Sequence, residues 1–282
     1  MKTNAIIRIV LFTLAILVLL GILLIGLLVG LFAYRVDERV ENTMVPVESG
    51  HTEGMVFSPS EVRNIEIEWA AGAITIQPGD TEYIEVSEHG NGNPMVVRHR
   101  GDTLEILFDD IEVYFGITVD LTKDLYITVP RDWVCGSLEL EVASADLNVC
   151  NLTFGKVDFE GASGECTFTD CTVGNLDVDT ASGDISFTGS LNTLDCDAAS
   201  ADCQLDLKNH PSRIDMDTAS GDLLLWLPAD CGFTLSMDAL SGRFTTDFSA
   251  NITGDNRHTS GDGSCIIDID AMSGNVSILK NS

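Results

Sequence analysis

Basic residues are scarce in this chain, which has 15 Lys and Arg against 44 Asp and Glu among its 282 residues. The formal net charge is therefore −29. Binding to phosphate groups requires clustered Lys and Arg side chains. The composition thus excludes nucleic acid as a partner.

The motifs of common catalytic and metal sites are missing as well. The chain has no CxxC pair for zinc, no GxSxG nucleophile motif, and neither an EF-hand loop nor a calcium-solenoid repeat. The five histidines are scattered, and Trp69, Trp133 and Trp226 are too dispersed to line a sugar-binding groove. These absences favour a non-enzymatic protein. A carbohydrate-active solenoid enzyme, a lyase or glycosidase at the cell surface, is the alternative.

A twelve-residue template recurs eight times, beginning at Ile65, Leu138, Val157, Leu176, Leu194, Ile214, Leu235 and Ile267. Five consecutive starts lie 19, 19, 18 and 20 residues apart. A period near twenty, with apolar and polar residues alternating, is typical of a solenoid whose coils bury their apolar edges by stacking on neighbours. Helical periodicity is absent outside the first forty residues. We therefore predict an all-β, β-helix-like solenoid with coils of about 19 residues; antiparallel hairpins in a sandwich are the alternative.

Each template predicts two short strands joined by a tight turn. Positions 1, 3, 10 and 12 face inward, as Leu176, Val178, Ile185 and Phe187 do in the fourth copy, because side chains alternate across a strand. Position 7 is Ser in seven copies and position 8 is Gly or Ala. Small residues suit a bend where stacked backbones approach closely.

Residues 9–33 contain no charged side chain and are long enough to span a bilayer as one helix. A cleavable signal peptide is the competing interpretation, but its apolar core is normally about 7–15 residues long. We predict a cytoplasmic tail at 1–8, a signal anchor at 9–33, a linker at 34–60, an opening β section or cap at 61–137, and solenoid repeats at 138–282. The bulk of the chain is then extracytoplasmic and held to the cell membrane by a single span.

The chain has eight cysteines, a number compatible with the disulfide framework of an exported protein, but the positions of at least three argue against one. Cys166, Cys196 and Cys203 occupy template positions that are Ile, Leu, Val or Phe in sister copies. We interpret them as small apolar core residues. A bridge between Cys196 and Cys203 across one turn is the alternative.

The repeats resemble a bacterial family whose members are named as adhesins, membrane-anchored proteins with β-strand repeats and a domain of unknown function. The resemblance covers about residues 60–280 and rests on IEIEWAAGAITI from Ile65, on the strand ending in TVP at Pro130, and on DTASGD at Asp179 and Asp217. LiaG-like proteins from cell-envelope stress operons are similar in having one amino-terminal span before such repeats. The resemblance implies a surface or envelope protein and supplies no catalytic residues.

Template positions 2 and 4 face solvent and are acidic in 15 of 16 cases, with Ser236 as the exception. Stacked carboxylates repel each other, and bound Ca²⁺ or Mg²⁺ would relieve the repulsion because both ions prefer carboxylate oxygens. The candidate cation ladder comprises Asp177, Asp179, Asp195, Asp197, Asp215 and Asp217. Envelope polymers, cationic peptides and other envelope proteins are the candidate partners. The alternative is a solvated face that keeps a repetitive sheet soluble.

Overall fold

The computed structural model describes residues 54–90, 93–108, 122–252 and 256–281. These residues form β-strands and turns without any helix, which confirms the all-β prediction for this part of the chain. The predicted tail at 1–8, the predicted span at 9–33 and most of the predicted linker lie outside the described residues. Within the described ranges, no helix has the length and hydropathy needed to cross a membrane.

The first nine strands run from the opening section into the repeats: β1 (Met55–Phe57), β2 (Asn64–Gly79), β3 (Ile84–Gly90), β4 (Val96–Arg100), β5 (Thr103–Leu107), β6 (Lys123–Pro130), β7 (Val134–Cys150), β8 (Thr153–Ser163) and β9 (Cys166–Ser182). The other ten complete the chain: β10 (Ile185–Ser200), β11 (Cys203–Leu207), β12 (Arg213–Ser220), β13 (Leu223–Leu227), β14 (Phe233–Ser241), β15 (Phe244–Thr246), β16 (Ala250–Ile252), β17 (Arg257–Ser260), β18 (Cys265–Ser273) and β19 (Val276–Lys280). Several of the long strands bend around a corner of the coil and so contribute to two of its sides.

The repeats stack as parallel strands in exact template register. Leu138 pairs with Val157, Val157 with Leu176, Leu176 with Leu194, and Leu194 with Ile214. Parallel pairing at one repeat per step is the arrangement of a solenoid, and it replaces the antiparallel hairpins that a sandwich would need. The solenoid prediction is therefore confirmed for the described repeats.

The inward template positions form one continuous core. Leu176, Val178, Ile185 and Phe187 are each 0–1% exposed, as the alternation predicts. The ring of Phe187 packs on that of Phe168 in the preceding coil, with 5.7 Å between the centroids. Burying each such side chain contributes roughly 1.5–3 kcal/mol, so every coil is stabilised mainly by its two neighbours.

The order of coils at the carboxyl end differs from their order in the chain. β18 and β19 pair with β12 and β13 on one side and with β14 and β15 on the other, so the last coil is inserted before the penultimate one. Position 12 of the penultimate coil is Thr246, whereas the inserted coil has Ile278 there. The coil with the more apolar edge thus takes the interior place, because an interior coil is covered on both sides.

The opening section supplies a first rung made of two separate strands. β5 pairs in parallel with the first half of β2, matching Ile65 to Leu104, and β6 pairs with the second half, matching Ile74 to Leu125. The other edge of β2 pairs with β7. The first template is therefore the second rung of the stack.

Antiparallel strands lie on both ends of the stack. β3 pairs with β6, β1 with β3, and β4 with β5 at the amino-terminal end. At the other end β17 pairs with β14, and β16 with β17. Reversing the strand direction interrupts the parallel register, and short edge strands limit pairing with other molecules.

A buried charged cluster joins the strands of the opening section. Lys123 is 2% exposed, and its ammonium lies 3.2 Å from Glu88 Oε2, donates to the Asn93 carbonyl at 2.8 Å and sits 4.1 Å from the centroid of the Phe108 ring. Trp69 Nε1 donates to the Lys123 carbonyl at 2.8 Å. Removing one partner of a buried ion pair leaves an uncompensated charge, which is strongly destabilising. The cluster therefore holds β2, β3 and β6 in one arrangement.

All eight cysteines are free thiols in the structure. Cys166, Cys196 and Cys203 are 0–1% exposed, as expected of apolar core residues, and the alternative bridge between Cys196 and Cys203 is not formed. Burial raises the pKa of the Cys196 thiol to about 12, which keeps it protonated and unreactive.

The turns stack closely at position 8, which is Ala145 or Ala201 in two copies and Gly in the others. A Cβ built on Gly183 would lie 2.0 Å from the carbonyl oxygen of Gly164, and φ at Gly183 is +149°. Position 8 continues along the stack as Ala201, Gly221, Gly274 and Gly242, and a Cβ built on any of these three glycines would lie about as close to a carbonyl oxygen.

We predict that Gly183→Ala lowers the free energy of unfolding by more than about 2 kcal/mol, because the methyl group meets backbone that cannot move independently. Gly101→Ala is the control, since Gly101 has φ +64° but nothing within 4 Å of a built Cβ. It should lose only about 1 kcal/mol, from backbone conformation alone. Urea unfolding followed by circular dichroism measures both. Equal losses in the two variants would contradict the close-approach explanation.

Candidate functional site

The outward acidic residues form two straight columns across the stack. The first column holds template position 2: Glu66, Glu139, Asp158, Asp177, Asp195, Asp215 and Asp268. The second column holds position 4: Glu68, Glu141, Glu160, Asp179, Asp197, Asp217, Asp270 and Asp238. Adjacent parallel strands are about 4.8 Å apart, which sets the spacing of carboxylates along each column.

The six aspartates of the candidate cation ladder are brought together as three adjacent rungs. Asp195 lies between Asp177 and Asp215 in the first column, and Asp197 lies between Asp179 and Asp217 in the second. Glu105 also joins the first column, because it pairs with Glu66. The sequence template missed Glu105 because its strand contains only half of a repeat.

Basic side chains compensate the first column at intervals. Lys156 Nζ lies 2.5 Å from Asp158 Oδ2 and 3.9 Å from Asp177 Oδ2. Arg213 Nη2 lies 2.5 Å from Asp215 and 3.1 Å from Asp268. Each of these two cations therefore bridges neighbouring rungs. Lys156 and Arg213 each stand immediately before the first residue of a template. A basic residue at that position was the sequence signal from which these ion pairs could have been predicted.

The second column is uncompensated within the part of the chain that the structure describes. No carboxylate of this column has a basic nitrogen within 4.0 Å there, so none of them takes part in an ion pair. Eight consecutive acids thus stand beside one another without an ion pair, although the more distant charges of Arg98 and Lys156 act to lower the pKa values of Glu68 and Glu160. Each adjacent pair repels by roughly 1 kcal/mol even at the dielectric constant of water.

Desolvation and the charges of neighbouring carboxylates raise pKa values along the second column. Partial burial, followed by the charges of Asp197 and Asp177, raises the pKa of Asp179 to about 6. Partial burial and the charge of Asp270 likewise raise the pKa of Asp217 to about 6. The pKa values of Glu68, Glu160, Asp197 and Asp270 are also raised, in each case mainly by desolvation and then by neighbouring carboxylates. These carboxylates therefore favour a bound proton or cation more than ordinary surface acids do.

A separate set of acids at template position 9 holds the turns together. Asp184 Oδ1 accepts a hydrogen bond from the Asp202 amide at 3.0 Å, and Asp202 Oδ1 accepts one from the Asp222 amide at 2.8 Å. Asp222 Oδ1 in turn accepts from the Asn275 amide at 2.6 Å. Part of the acidity is thus structural, since each of these carboxylates replaces a backbone acceptor for the next coil. The sequence interpretation did not identify this role.

The linear arrangement of the carboxylates determines how they could coordinate a metal ion. Within the described ranges, no group of three or more His, Cys, Asp or Glu side chains forms a coordination cage for a metal ion. Coordination by one or two carboxylates together with water suits Mg²⁺ and weak Ca²⁺ sites. An ion bound at the columns would therefore contact one or two carboxylates and complete its coordination with water.

The aromatic and histidine side chains take part in packing. Trp69 and Trp133 are 2% and 8% exposed, so neither presents a face to a sugar. His89 packs edge-on against Tyr126, and His258 packs against Phe244. His210 Nε2 lies 3.2 Å from Asp230 in an exposed pair. His51 lies outside the described residues.

Residues 62–193 match the family model described as Toastrack DUF4097, a domain of unknown function. This match confirms the resemblance found in the repeats. No curated protein matches the chain.

Solved structures of similar proteins cover most of the chain at low sequence identity. A "putative adhesin" from Bacteroides fragilis NCTC 9343 has 10% identity, coverage of 80% of this chain and 95% of that one, and a TM-score of 0.47. A "putative cell adhesion protein" from Clostridium sporogenes ATCC 15579 has 11% identity, coverage of 81% and 98%, and a TM-score of 0.35. A "putative lipid binding protein" from Parabacteroides distasonis ATCC 8503 has 13% identity, coverage of 83% and 98%, and a TM-score of 0.39.

We predict that acidification stabilises this protein between pH 7.5 and pH 5. The folded-state pKa of about 6 at Asp179 and Asp217 lies above the usual unfolded value near 3.9. The contribution of these groups to stability is therefore fully present below about pH 4 and is lost as the pH rises through about 6. After discounting for solvent screening, the two groups together should add about 1 kcal/mol on going from pH 7.5 to pH 5.

Urea unfolding at the two pH values measures this gain. Asp179→Asn should stabilise the protein at pH 7.5 and reduce the difference between the two pH values. Asp132→Asn removes an exposed acid outside the columns and is the control. A free energy of unfolding that falls from pH 7.5 to pH 5 would refute the prediction.

Proposed function

Because residues 62–193 carry a Toastrack DUF4097 match, we propose that this chain is a non-enzymatic, membrane-anchored module of the cell envelope that adheres or serves as a scaffold through its acidic face. The observation that carries the proposal is the second acidic column, a row of eight outward carboxylates, seven of them exposed and Asp217 half-buried, with no ion pair among the described residues. A charged row of this length suits contact with extended cationic or cation-bridged polymers.

The module is held to the cell membrane by residues 9–33, with residues 1–8 cytoplasmic and the solenoid extracytoplasmic. Support comes from the 25 consecutive residues without a charge and from the acidity of the body, which keeps it away from anionic lipid surfaces. The predicted linker at 34–60 includes β1, so residues 34–54 lie between the proposed span and the first described strand.

Divalent cations bind between rungs of the ladder formed by Asp177, Asp179, Asp195, Asp197, Asp215 and Asp217. Each ion relieves repulsion between carboxylates that the stacking keeps about 4.8 Å apart. An ion shared with an anionic envelope polymer would link the two surfaces. Ca²⁺ and Mg²⁺ are the candidate ions, because both take oxygen ligands.

We predict that millimolar Ca²⁺ or Mg²⁺ raises the melting temperature of the purified full chain above its value in EDTA at matched ionic strength. A ligand that binds only the folded state adds RT ln(1 + [L]/Kd) to stability. The triple variant Asp179→Asn, Asp197→Asn, Asp217→Asn should lose this rise. Differential scanning calorimetry in detergent measures the melting temperatures.

A charge-matched variant separates specific binding from a general effect of net charge. Asp80→Asn, Asp132→Asn and Asp230→Asn remove three exposed acids outside the columns, and this variant should keep the rise. If wild type shows no rise beyond the monovalent salt control, the acids act by solubility alone and the cation hypothesis fails.

We predict that the chain stays in the membrane pellet after alkaline carbonate extraction and keeps its amino-terminal residues. Leu19→Arg with Leu20→Arg should release it, since each Arg at the centre of a span costs about 2.5–3.5 kcal/mol on insertion scales. Leu19→Ala with Leu20→Ala is the control and should remain in the pellet. A mature protein lacking the first thirty residues by mass spectrometry would instead indicate a cleaved signal peptide.

A further inference from the structure

The second strand of each template carries a column of outward residues that contains no charged side chain. Template position 11 faces outward there, because positions 10 and 12 on either side of it face inward. Parallel pairing places the residues at this position, and the equivalent residue of the first rung, in one line across the stack. This neutral column consists, in stack order, of Tyr126, Thr75, Asn148, Thr167, Ser186, Gln204, Leu224, Ser277 and Thr245.

The chemistry of the neutral column contrasts with that of the two acidic columns. Position 11 is acidic in none of the eight copies, although the chain has 44 Asp and Glu. Every member of the column except Leu224 carries a hydroxyl or carboxamide group, which can both donate and accept hydrogen bonds. Cationic ligands are attracted to the acidic columns instead, and anionic ligands are repelled by a chain of formal charge −29. The neutral column therefore suits an uncharged ligand that is rich in hydrogen-bonding groups.

Trp226 lies beside this column and is the one tryptophan whose side chain faces outward. It occupies position 13 on β13, where buried and partly exposed residues alternate, and it is partly exposed. The buried indoles of Trp69 and Trp133 each donate a hydrogen bond to a backbone carbonyl. Among the residues that the structure describes, the Trp226 indole has neither a hydrogen-bond partner nor an aromatic ring stacked on it. Its outward face is thus not used for packing between rings.

An apolar platform adjoins the polar groups of the preceding coils. Leu224 and Trp226 form it, since side chains two residues apart in a strand share a face, and Leu279 extends it because it pairs in register with Trp226. On the other side of the platform, Gln204 pairs with Leu224 and Asp206 pairs with Trp226. Positions 11 and 13 of the three preceding coils are all polar: Thr167 and Thr169, Ser186 and Thr188, Gln204 and Asp206.

This combination of groups matches the chemistry of a sugar chain. A pyranose ring has faces of C–H groups that pack on an aromatic ring, and hydroxyl groups at its rim that pair with carboxylates, amides and hydroxyls. Ligand sites in general join an apolar and aromatic surface to a few polar groups that fix the orientation of the ligand. The rungs are about 4.8 Å apart, close to the length of one hexose unit in an extended β-1,4-linked chain. Successive sugars can therefore lie over successive rungs.

We propose that this face binds an extended, neutral β-1,4-linked glycan along the neutral column, with one sugar ring packed on Trp226. The Asp206 carboxylate and the Gln204 carboxamide hydrogen-bond the next sugar, and the hydroxyls of Ser186 and Thr167 bind the sugars beyond it. The proposal concerns binding alone, and it is independent of cation binding by the acidic columns. A second copy of this chain is a poorer occupant of the platform, because two chains of formal charge −29 repel each other.

The test measures binding of cellohexaose, a β-1,4-linked glucose hexamer, to the purified full chain by isothermal titration calorimetry. EDTA removes divalent ions, and a polyoxyethylene detergent avoids sugar headgroups. Trp226→Ala should weaken binding at least about tenfold and Trp226→Phe much less, because phenylalanine keeps an aromatic face. Gln204→Ala should weaken binding about fivefold through lost hydrogen bonds. Leu240→Ala removes an exposed apolar side chain next to the acidic columns and should leave binding unchanged.

Acrylamide quenching of tryptophan fluorescence gives a readout that a purely structural role of Trp226 would not change. Trp69 and Trp133 are buried, so the readily quenched part of the emission comes from Trp226. Bound cellohexaose should protect this emission in the wild type and should have no such effect in Trp226→Phe. Circular dichroism must show that Trp226→Ala is folded; if it is not, the quenching result and Gln204→Ala against Leu240→Ala decide.

Three further comparisons can overturn the proposal. Isomaltohexaose also has six glucose units, but its α-1,6 links are flexible, and equal binding of the two hexamers would contradict a chain matched to the rungs. The triple variant Asp179→Asn, Asp197→Asn, Asp217→Asn should bind cellohexaose as the wild type does; lost binding would assign the glycan to the acidic columns. Sedimentation should give a monomer, and a dimer dispersed by Trp226→Ala would assign the platform to a second copy. Absence of cellohexaose binding would equally refute the proposal and would leave the cation hypothesis unaffected.

Discussion

Register is the constraint on which the rest of this structure depends. Each coil buries its apolar residues only against the same residues of its neighbours, so position 1 must lie over position 1 along the whole stack. The same register places every outward residue over its own counterpart. The register that packs the core therefore also places like charges of neighbouring coils about 4.8 Å apart. Close packing and charge repulsion thus have the same cause.

The protein answers this repulsion in two different ways. In the first column Lys156 and Arg213 each sit between two rungs and neutralise them. At template position 9, the carboxylates of Asp184, Asp202 and Asp222 stabilise the turns by accepting hydrogen bonds from backbone amides of the next coil. Neither answer is applied to the second column among the described residues. That contrast between neighbouring columns, rather than acidity as such, is why we propose the second column as the functional surface.

Local pattern was sufficient to predict the all-β class, the coil length, the inward residues and every member of the two columns except Glu105, because each follows from alternation and period. The exchange of the last two coils was not predictable in this way. Ile278 and Thr246 occupy equivalent template positions, and only the number of neighbours available to each coil decides which one is interior. The bridging by Lys156 and the burial of Lys123 were likewise missed, since both depend on contacts between rungs that a single repeat does not contain.

The two ends of the stack meet different physical requirements, and their side chains reflect this. The amino-terminal end is closed by β1, β3 and β4 and by the buried ion pair of Lys123 with Glu88. At the carboxyl-terminal end, β17 and β16 cover the first half of β14, and Leu240 and Met272 are exposed. A stack that needed only protection would keep the alanine found at position 6 elsewhere. Exposing larger apolar groups costs solubility, so the two outermost rungs depart from the template in a direction that packing within the stack does not explain.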